Sequence, residues 1–493
     1  MSATTTQAVE AGHYAHECFD VYSKEVLENR MLPHAFDGLK PVQRRLLLTC
    51  DRLNLKPSAA FVKSVQVVGT ALAYYHPHSD AACYGALVKV TGTPTLSGIP
   101  VNGCNVPLFE GQGSFGDHED SAAAMRYTEC RPSHYAHAAL LNREYISTLP
   151  VVTTEAGTDI EQVVLPALLP NLFMNGAEGA AIALATSIPS FEPGSVVDAT
   201  LAVLGACKED RLPSREKVAE LLAKHLVYQY RYGGYATHEL TAEDFLANNF
   251  AFNVLPRFEF VKQSIVVTSI HHKVFNPTAW LEKVRTIHGT RSARDETGQH
   301  GLRFVVAFDP KAGVEFSDWS RAVLNSLVRK QHCHINVVTG LGEDSHTSMT
   351  CLADAMLYWL QERFKLERLV LEKRIDAASC QELHLLAVQY AVENREDFFP
   401  LLEQDDAETS LAVFYRQWLD DDDAGAAATY ILGVSLRTLT KANAEEIARK
   451  LADVSRTIER LEGELSSVVK TTRATTSALV KDLKRTAFTV QSR

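Results

Sequence analysis

Ile447, Leu451, Val454, Ile458, Leu461, Leu465 and Val468 recur at alternating steps of four and three, and this heptad spacing commits the C-terminal part of the chain to long helix. A second apolar stripe, Leu352, Met356, Trp359, Leu366 and Val370, predicts a mate running from about Thr350 to Leu386. Two long helices separated by a small helical domain over residues 388–445 imply an antiparallel coiled coil, although amphipathic helices lying on a core share the period. At 493 residues the chain also exceeds a single core, so the remainder divides into further domains.

Upstream the pattern changes. Residues 1–29 open polar and turn helical, with Tyr22, Val26 and Leu27 on a predicted buried face, an arm more than a domain. A basic block follows in which Val42, Leu46 and Leu47 alternate helically with Lys40, Arg44 and Arg45, so that one face packs and the other meets anions. A helix is predicted from Ser58 to Tyr75, stopped by Pro77, and Ser79 with Asp80 caps a third that runs to about Val90. Helix, tight turn and helix, then the Gly-, Pro-, Thr- and Val-rich stretch Thr91–Phe115, make the pattern of a helix-turn-helix unit followed by short strands. Residues 151–345 mix strands such as Val151–Thr153 and Phe304–Val306 with helices, an α/β segment.

Net charge is −11, which on its face argues against a polyanionic partner, but the distribution is uneven. Arg30 to Lys63 holds seven Lys/Arg against two Asp, whereas Glu403 to Asp423 holds eight acids against Arg416. A nucleic-acid surface is therefore expected near the first stretch, and Asp420–Asp423 reads as a solvated face. Nine cysteines without C-x-x-C spacing fit reduced thiols in a cytoplasmic protein. His332-Cys333-His334 is the nearest approach to a ligand cluster and lacks further ligands around it. No apolar run approaches the ~20 residues a bilayer requires, so no membrane partner is expected.

In Asp120-Ser-Ala-Ala-Ala-Met-Arg126-Tyr127-Thr-Glu-Cys-Arg131, three alanines lead to a cation beside a phenol, and Gly111, Gly113 and Gly116 let the approach bend. Tyrosine is a potential covalent nucleophile, and a guanidinium suits a phosphate whose charge grows during attack. Alone, the pair is more often a half-buried aromatic beside a surface cation.

The stretch resembles the AAMRYTE signature of the A subunits of type IIA DNA topoisomerases, the gyrase and topoisomerase IV family. Arg30-Met-Leu-Pro-His-Ala-Phe-Asp37-Gly-Leu-Lys40-Pro-Val-Gln-Arg44-Arg45, Tyr75-His76-Pro77-His78-Ser79-Asp80, Pro170-Asn171-Leu-Phe-Met-Asn175-Gly176 and Ala185-Thr186-Ser-Ile188-Pro189 resemble four more of its blocks, in order. Weaker likeness continues through Arg294-Asp295-Glu296 and Gly301-Leu-Arg303 into the C-terminal helices.

The resemblance implies an α+β multidomain fold. Its expected parts are an arm at 1–29, a winged-helix DNA-cleavage domain at 30–150, an α/β tower at 151–345, and a coiled coil with a helical C-gate that closes a homodimer at 346–493. It implies that Tyr127 forms a 5′-phosphotyrosyl link, that Arg126 and Arg30 stabilise the charged phosphorane, and that His76 and His78 hydrogen-bond the phosphate or move protons. A His-Pro-His turn also serves simply as a helix cap. Lys40, Arg44, Arg45 and Ser79 would contact flanking DNA. Neither a G-x-x-x-x-G-K-[ST] loop nor an Asp-x-Asp pair suited to Mg²⁺ near a Rossmann-like strand occurs. Metal is thus not expected in this chain; Mg²⁺ and ATP are expected on a separate ATPase/Toprim B subunit in an A₂B₂ heterotetramer.

Three departures stand out. Ser79 replaces a family glycine, and Ala180 takes the position of an isoleucine that wedges between base pairs, so Ile182 becomes the alternative wedge. Ala81 and Gly85 lie where relatives carry the Ser and acid that anchor fluoroquinolones. Such divergence suits a bacteriophage or a bacterial enzyme. About 25 residues follow Val468, too few for the DNA-wrapping β-pinwheel of gyrases, so relaxation and decatenation are expected and not negative supercoiling. The competing expectation is a non-catalytic DNA-binding scaffold with the same fold.

Overall fold

The computed structural model describes residues 11–92, 104–116, 121–155, 157, 159–181, 184–208, 211–229, 233–269, 276–298, 301–435, 439 and 443–485. The chain divides into two compact units, Met1–Arg363 with Arg473–Arg493, and Phe364–Thr472.

In the first unit, helix α1 spans Ala11–Val26, and a wide helical turn, Leu27–Met31, follows it. The expected buried face of the arm is not buried: Tyr22 is 56% exposed, and Tyr14, Phe19 and Val21 are exposed beside it. The other two residues of that predicted face, Val26 and Leu27, are partly covered, so only the end of α1 and the turn after it meet the core.

Helix α2, Pro41–Arg52, begins with proline at its first position, where no N–H is needed, and Gln43 Oε1 accepts from Lys40 N at 3.0 Å. It buries Leu46, Leu47, Leu48 and Cys50. Helix α3 spans Ser64–Tyr74, six residues shorter at its start than expected. The difference has a long-range cause: strand β1, Val62–Lys63, pairs with Glu129–Cys130, so this β-branched start is drawn into a sheet before the helix begins. Helix α4, Asp80–Val90, begins where Ser79 Oγ accepts from Ala82 N, and the turn between α3 and α4 carries His76-Pro77-His78. Strands β2 (Thr91–Gly92), β3 (Phe109–Gln112) and β4 (Glu129–Pro132) complete a four-stranded sheet in the order β1-β4-β3-β2.

Strands β5 (Val151–Thr153) and β6 (Ile160–Gln162) form a hairpin. Strands β7 (Ala177–Ala181) and β8 (Leu184–Ile188) form a second one at the edge of a five-stranded sheet that continues through Arg329–His334, Asn249–Leu255 and Tyr235–Ala236. A separate antiparallel four-stranded sheet, including Ser264–Val267 and Phe304–Phe308, packs Trp280 and Trp319 against Ile265, Val306 and Phe308. The mixed α+β character follows the expectation.

Two of the sequence blocks prove to be one structural piece. Gly38, at φ +66°, lies so close to the helix Asn171–Asn175 that a Cβ there would stand 2.5 Å from Leu172 N. Asn171 Nδ2 donates to the carbonyl of Asp37 at 3.0 Å. Gly176, at φ +60°, closes the same helix, and a Cβ there would meet Ile188 O at 2.4 Å. Each glycine is thus required by a close approach of backbone to backbone.

The long helix Leu352–Glu393 buries Leu352, Met356, Trp359, Leu366 and Val370, the predicted stripe. In the second unit, Ala444–Leu465 buries Ile447, Val454 and Leu461, every seventh residue, while Leu451 and Ile458 are only half-buried. Helical geometry breaks at Ser466 and resumes at Val468, so the last step of the seam crosses a turn. Ser455 Oγ donates to Glu382, tying this helix to the long one. The small helical core between them gathers Val388, Phe398, Leu411, Phe414, Tyr415 and Ile431. Asp420 caps the helix Asp421–Leu432 by accepting from Asp423 N at 2.9 Å, so the run of four aspartates sits at a helix N-terminus, where the helix dipole favours it. In the first unit, the C-terminal residues bury Val480 and Leu483 and expose Arg473, Lys481, Lys484 and Arg485. No helix of the described residues is long and apolar enough to cross a membrane.

Candidate functional site

The residues singled out in the sequence gather into two clusters, one at each end of α3. At its N-terminal end lies the loop that carries Arg126 and Tyr127. Ser64 N donates to Thr128 O at 2.9 Å and Val65 N to Met125 O at 3.2 Å, so the first turn of α3 holds the loop by its backbone. From α4, Tyr84 Oη donates to Ala123 O at 2.7 Å and lies 2.9 Å from Thr128 Oγ1, which in turn donates to Ser64 Oγ at 2.8 Å. Gly113, at φ +98°, passes under the loop, where a Cβ would stand 3.2 Å from Tyr127 O. A firmly pinned loop thus presents Tyr127 at 64% exposure, with the Arg126 guanidinium 4.6 Å from its ring centroid. Tyr84 was not singled out in the sequence; a tyrosine on a helix carries no local sign that its hydroxyl fastens a loop about 40 residues away.

At the C-terminal end of α3, about 16 Å along at 1.5 Å per residue, lies the second cluster. Arg45 is its hub. Its Nε and Nη2 donate to Glu161 at 2.8–3.1 Å, and its Nη1 donates to Glu155 Oε2 at 3.1 Å and to His76 Nδ1 at 2.8 Å. His78 Nε2 lies 3.2 Å from Glu155 Oε2, and the two imidazoles meet edge to face at 4.6 Å. Burial, reinforced by Arg45, His78 and Arg30, lowers the His76 pKa to about 4, so at neutral pH it is a neutral hydrogen-bonding group and not a proton carrier. Burial alone would raise the Glu155 carboxyl, but Arg45 and His78 carry it below its usual range. No hydrogen bond, ion pair or ring contact among the described residues joins Tyr127 to His76, His78 or Arg30.

The cations divide into open and occupied. Arg30, at the end of the turn after α1, is exposed and makes no ion pair or hydrogen bond among the described residues, although its charge reaches His76. Arg126 is exposed, with its guanidinium over the Tyr127 ring. Arg44, expected on the anion-facing side of α2, is instead buried, its Nε 2.7 Å from the fully buried carboxylate of Asp37. A side chain held there cannot reach a duplex without leaving its counter-ion in the core. Arg45, also expected to grip phosphate, has its donors taken by Glu161, Glu155 and His76. Lys40 gives a hydrogen bond to Glu178 O at 2.7 Å and keeps part of its surface open.

Ser79 is exposed as the cap of α4, and Ala81 and Gly85 lie one turn apart on that helix, with open space where a Gly85 Cβ would stand. Ala180 is exposed on β7, whose Gly179 packs against Met31 O beside Arg30. Ile182 lies outside the described residues. His332 and His334 flank the buried Cys333 on one strand, and His334 Nδ1 is taken up by Asn249 at 2.6 Å. Among the described residues, the group whose ligand atoms lie close enough to share an ion is His76, His78 and Glu155.

A family model that describes the A subunits of DNA gyrase and topoisomerase IV matches residues 30–480. The DNA gyrase A subunit of Haloquadratum walsbyi is 28% identical over 501 residues, covering 94% of this chain and 55% of the relative. That of Granulibacter bethesdensis is 31% identical over 415 residues, covering 80% and 42%. The chloroplastic/mitochondrial DNA gyrase A subunit of Arabidopsis thaliana is 27% identical over 479 residues, covering 92% and 47%. The chain spans about half the length of these curated relatives.

Proposed function

The chain belongs to the family of DNA gyrase and topoisomerase IV A subunits, and on that premise we propose that it is the DNA breakage-reunion subunit of a type II topoisomerase. The observation that carries this reading is the exposed Tyr127 beneath the Arg126 guanidinium, on a loop fastened by α3 and Tyr84. Tyr127 Oη attacks a backbone phosphorus and gives up its phenolic proton. The P–O3′ bond breaks with its electron pair going to the 3′ oxygen, which takes up a proton, and a 5′-phosphotyrosyl link remains. Attack by the 3′-hydroxyl reverses these changes and reseals the strand. Arg126 stabilises the negative charge that builds on the phosphoryl oxygens; Arg30 and the neutral His76, grouped away from Tyr127 within one chain, join it where a homodimer brings a second copy's cluster to the same phosphate.

In this reading residues 30–150 act as a winged-helix cleavage domain, residues 151–345 as the tower, and residues 346–493 as the dimer-closing C-gate. Lys40 and the Ser79 end of α4 meet flanking phosphates, and the β7–β8 hairpin carrying Ala180 meets the bend in the duplex, with Ile182 as the alternative wedge. The partner is a B subunit that supplies ATP hydrolysis and the Mg²⁺ whose charge assists phosphoryl transfer, in an A₂B₂ assembly. In this reading that assembly relaxes and decatenates DNA. Mixing the chain with a B subunit, Mg²⁺ and plasmid and then denaturing yields protein-linked linear DNA if the reading is right. Duplex binding with no linked product identifies the scaffold alternative instead.

A drug response follows from α4. Ala81 and Gly85 offer neither hydroxyl nor carboxylate, so a fluoroquinolone held through a water-Mg²⁺ bridge has nothing to grip there. We expect at least a tenfold higher drug concentration for trapped cleavage complexes than with a bacterial gyrase, in line with the roughly 1–3 kcal/mol lost with a hydrogen-bonded partner. The open space at Gly85 admits a side chain, so A81S with G85D should restore sensitivity. Equal drug response of the wild type and the double variant rules the idea out.

A further inference from the structure

Glu155, in the turn between β5 and β6, touches both the guanidinium and one imidazole of the basic cluster. A guanidinium can only donate, so His76 Nδ1, 2.8 Å from Arg45 Nη1, is the acceptor, and neutral His76 carries its proton on Nε2. An ionised carboxylate can only accept, and its two oxygens lie 3.2 and 3.3 Å from His78 Nε2, so that nitrogen carries a proton as well. Both rings therefore hold hydrogen on Nε2, yet different nitrogens are left over. His76 has its Nε2–H remaining and His78 its Nδ1, and no hydrogen bond among the described residues occupies either.

The trio His76, His78 and Glu155 has ligand atoms within 4.8 Å of one another, as a metal site would. Arg45 Nη1 already stands 2.8 Å from His76 Nδ1 and 3.1 Å from Glu155 Oε2, so a fixed positive charge occupies the place of an ion. The arrangement suits hydrogen-bond direction better than metal capture.

We infer that Glu155 is a positioning residue of the cleavage site: by holding Arg45 and the Nε2–H of His78, it leaves Nδ1 of His78 to meet a ligand beside the Nε2–H of His76. When His78 is neutral the pair offers one acceptor and one donor, matched to a phosphodiester and to the hydroxyl that attacks or leaves it. The inference rests on the reading of this cluster as part of a DNA-cleavage site. Glu155 stands about 80 residues from the His-Pro-His block, and nothing local in the sequence marks it.

Imidazole ¹⁵N spectra of the full-length chain test the tautomers directly. In the wild type both rings should show the Nε2–H pattern. In Glu155→Ala, His78 should shift toward a mixture of tautomers while His76, still fixed by Arg45 and Glu161, stays unchanged; Glu155→Gln, whose amide oxygen still accepts, should keep the wild-type pattern. With plasmid and the B subunit, Glu155→Ala should slow cleavage about tenfold, short of the loss of a full acid-base group, with duplex Kd unchanged, and Glu155→Gln should recover most of the rate. A His78 spectrum unaffected in Glu155→Ala overturns the inference. So does micromolar Zn²⁺ binding that shifts both rings, which makes the trio a metal site. If Tyr127→Phe still forms adducts, the cleavage reading falls, while the spectra still decide whether Glu155 orients His78.

Discussion

Tyr127→Phe should abolish the covalent DNA adduct entirely while duplex affinity stays within about twofold of the wild type. Attack on phosphorus requires the phenolic oxygen itself, and no neighbouring hydroxyl on the loop can replace it, since Thr128 is buried and bonded to Ser64. The same substitution leaves the fold intact. The Tyr127 hydroxyl has no hydrogen-bond partner among the described residues, its ring keeps the Arg126 contact, and the loop is held by backbone bonds and by Tyr84. Adduct formation is read on denaturing gels after mixing with a B subunit, Mg²⁺ and plasmid, and affinity by titration of a short duplex. Residual linked DNA in the variant removes Tyr127 from the role. Loss of binding together with cleavage shows instead that the hydroxyl serves the duplex and not the chemistry.

The parts of this site that could be read from the sequence are those whose chemistry is contiguous. Arg126-Tyr127 and His76-Pro77-His78 are short strings whose residue types suffice to suggest phosphate chemistry, and both lie where their local signals put them, after a Gly-bent approach and before the Ser79 cap. What helical periodicity could not give is the fate of the cations on α2. Alternation with Val42, Leu46 and Leu47 put Arg44 and Arg45 on an outer face, but the partners that draw them inward come from elsewhere: Asp37 from the preceding turn, and Glu155 and Glu161 from a hairpin more than 100 residues on. Periodicity reports the face a residue takes on its own helix and is silent about what is laid over that face later. The late start of α3 has the same origin, since Val62 pairs with Cys130. The arm shows the converse case. Tyr22 belongs to a predicted buried face, yet it is exposed together with Tyr14 and Phe19, and among the described residues none covers it.

Asp37→Ala should destabilise the first unit by roughly 3–5 kcal/mol, the range for a buried charge left without its partner. The Asp37 carboxylate is fully buried and accepts from Arg44 Nε at 2.7 Å, Arg44 Nη2 at 3.1 Å, Leu39 N at 3.0 Å and Leu165 N at 3.0 Å. Its removal strands a guanidinium in the core and leaves two backbone N–H groups without an acceptor. The double variant Asp37→Ala/Arg44→Leu removes the stranded charge and should recover part of the loss, but not all, because each unpaired N–H still costs about 1–3 kcal/mol. The pair also separates two accounts of Arg44. If Arg44 gripped phosphate, as α2 alone suggests, the double variant would lower the dependence of duplex affinity on salt by about one released ion. Because Arg44 is spent inside the fold, the salt slope should stay as in the wild type while urea denaturation shows the cost. A single variant as stable as the wild type, or a slope reduced by about one ion in the double variant, would return Arg44 to the DNA surface.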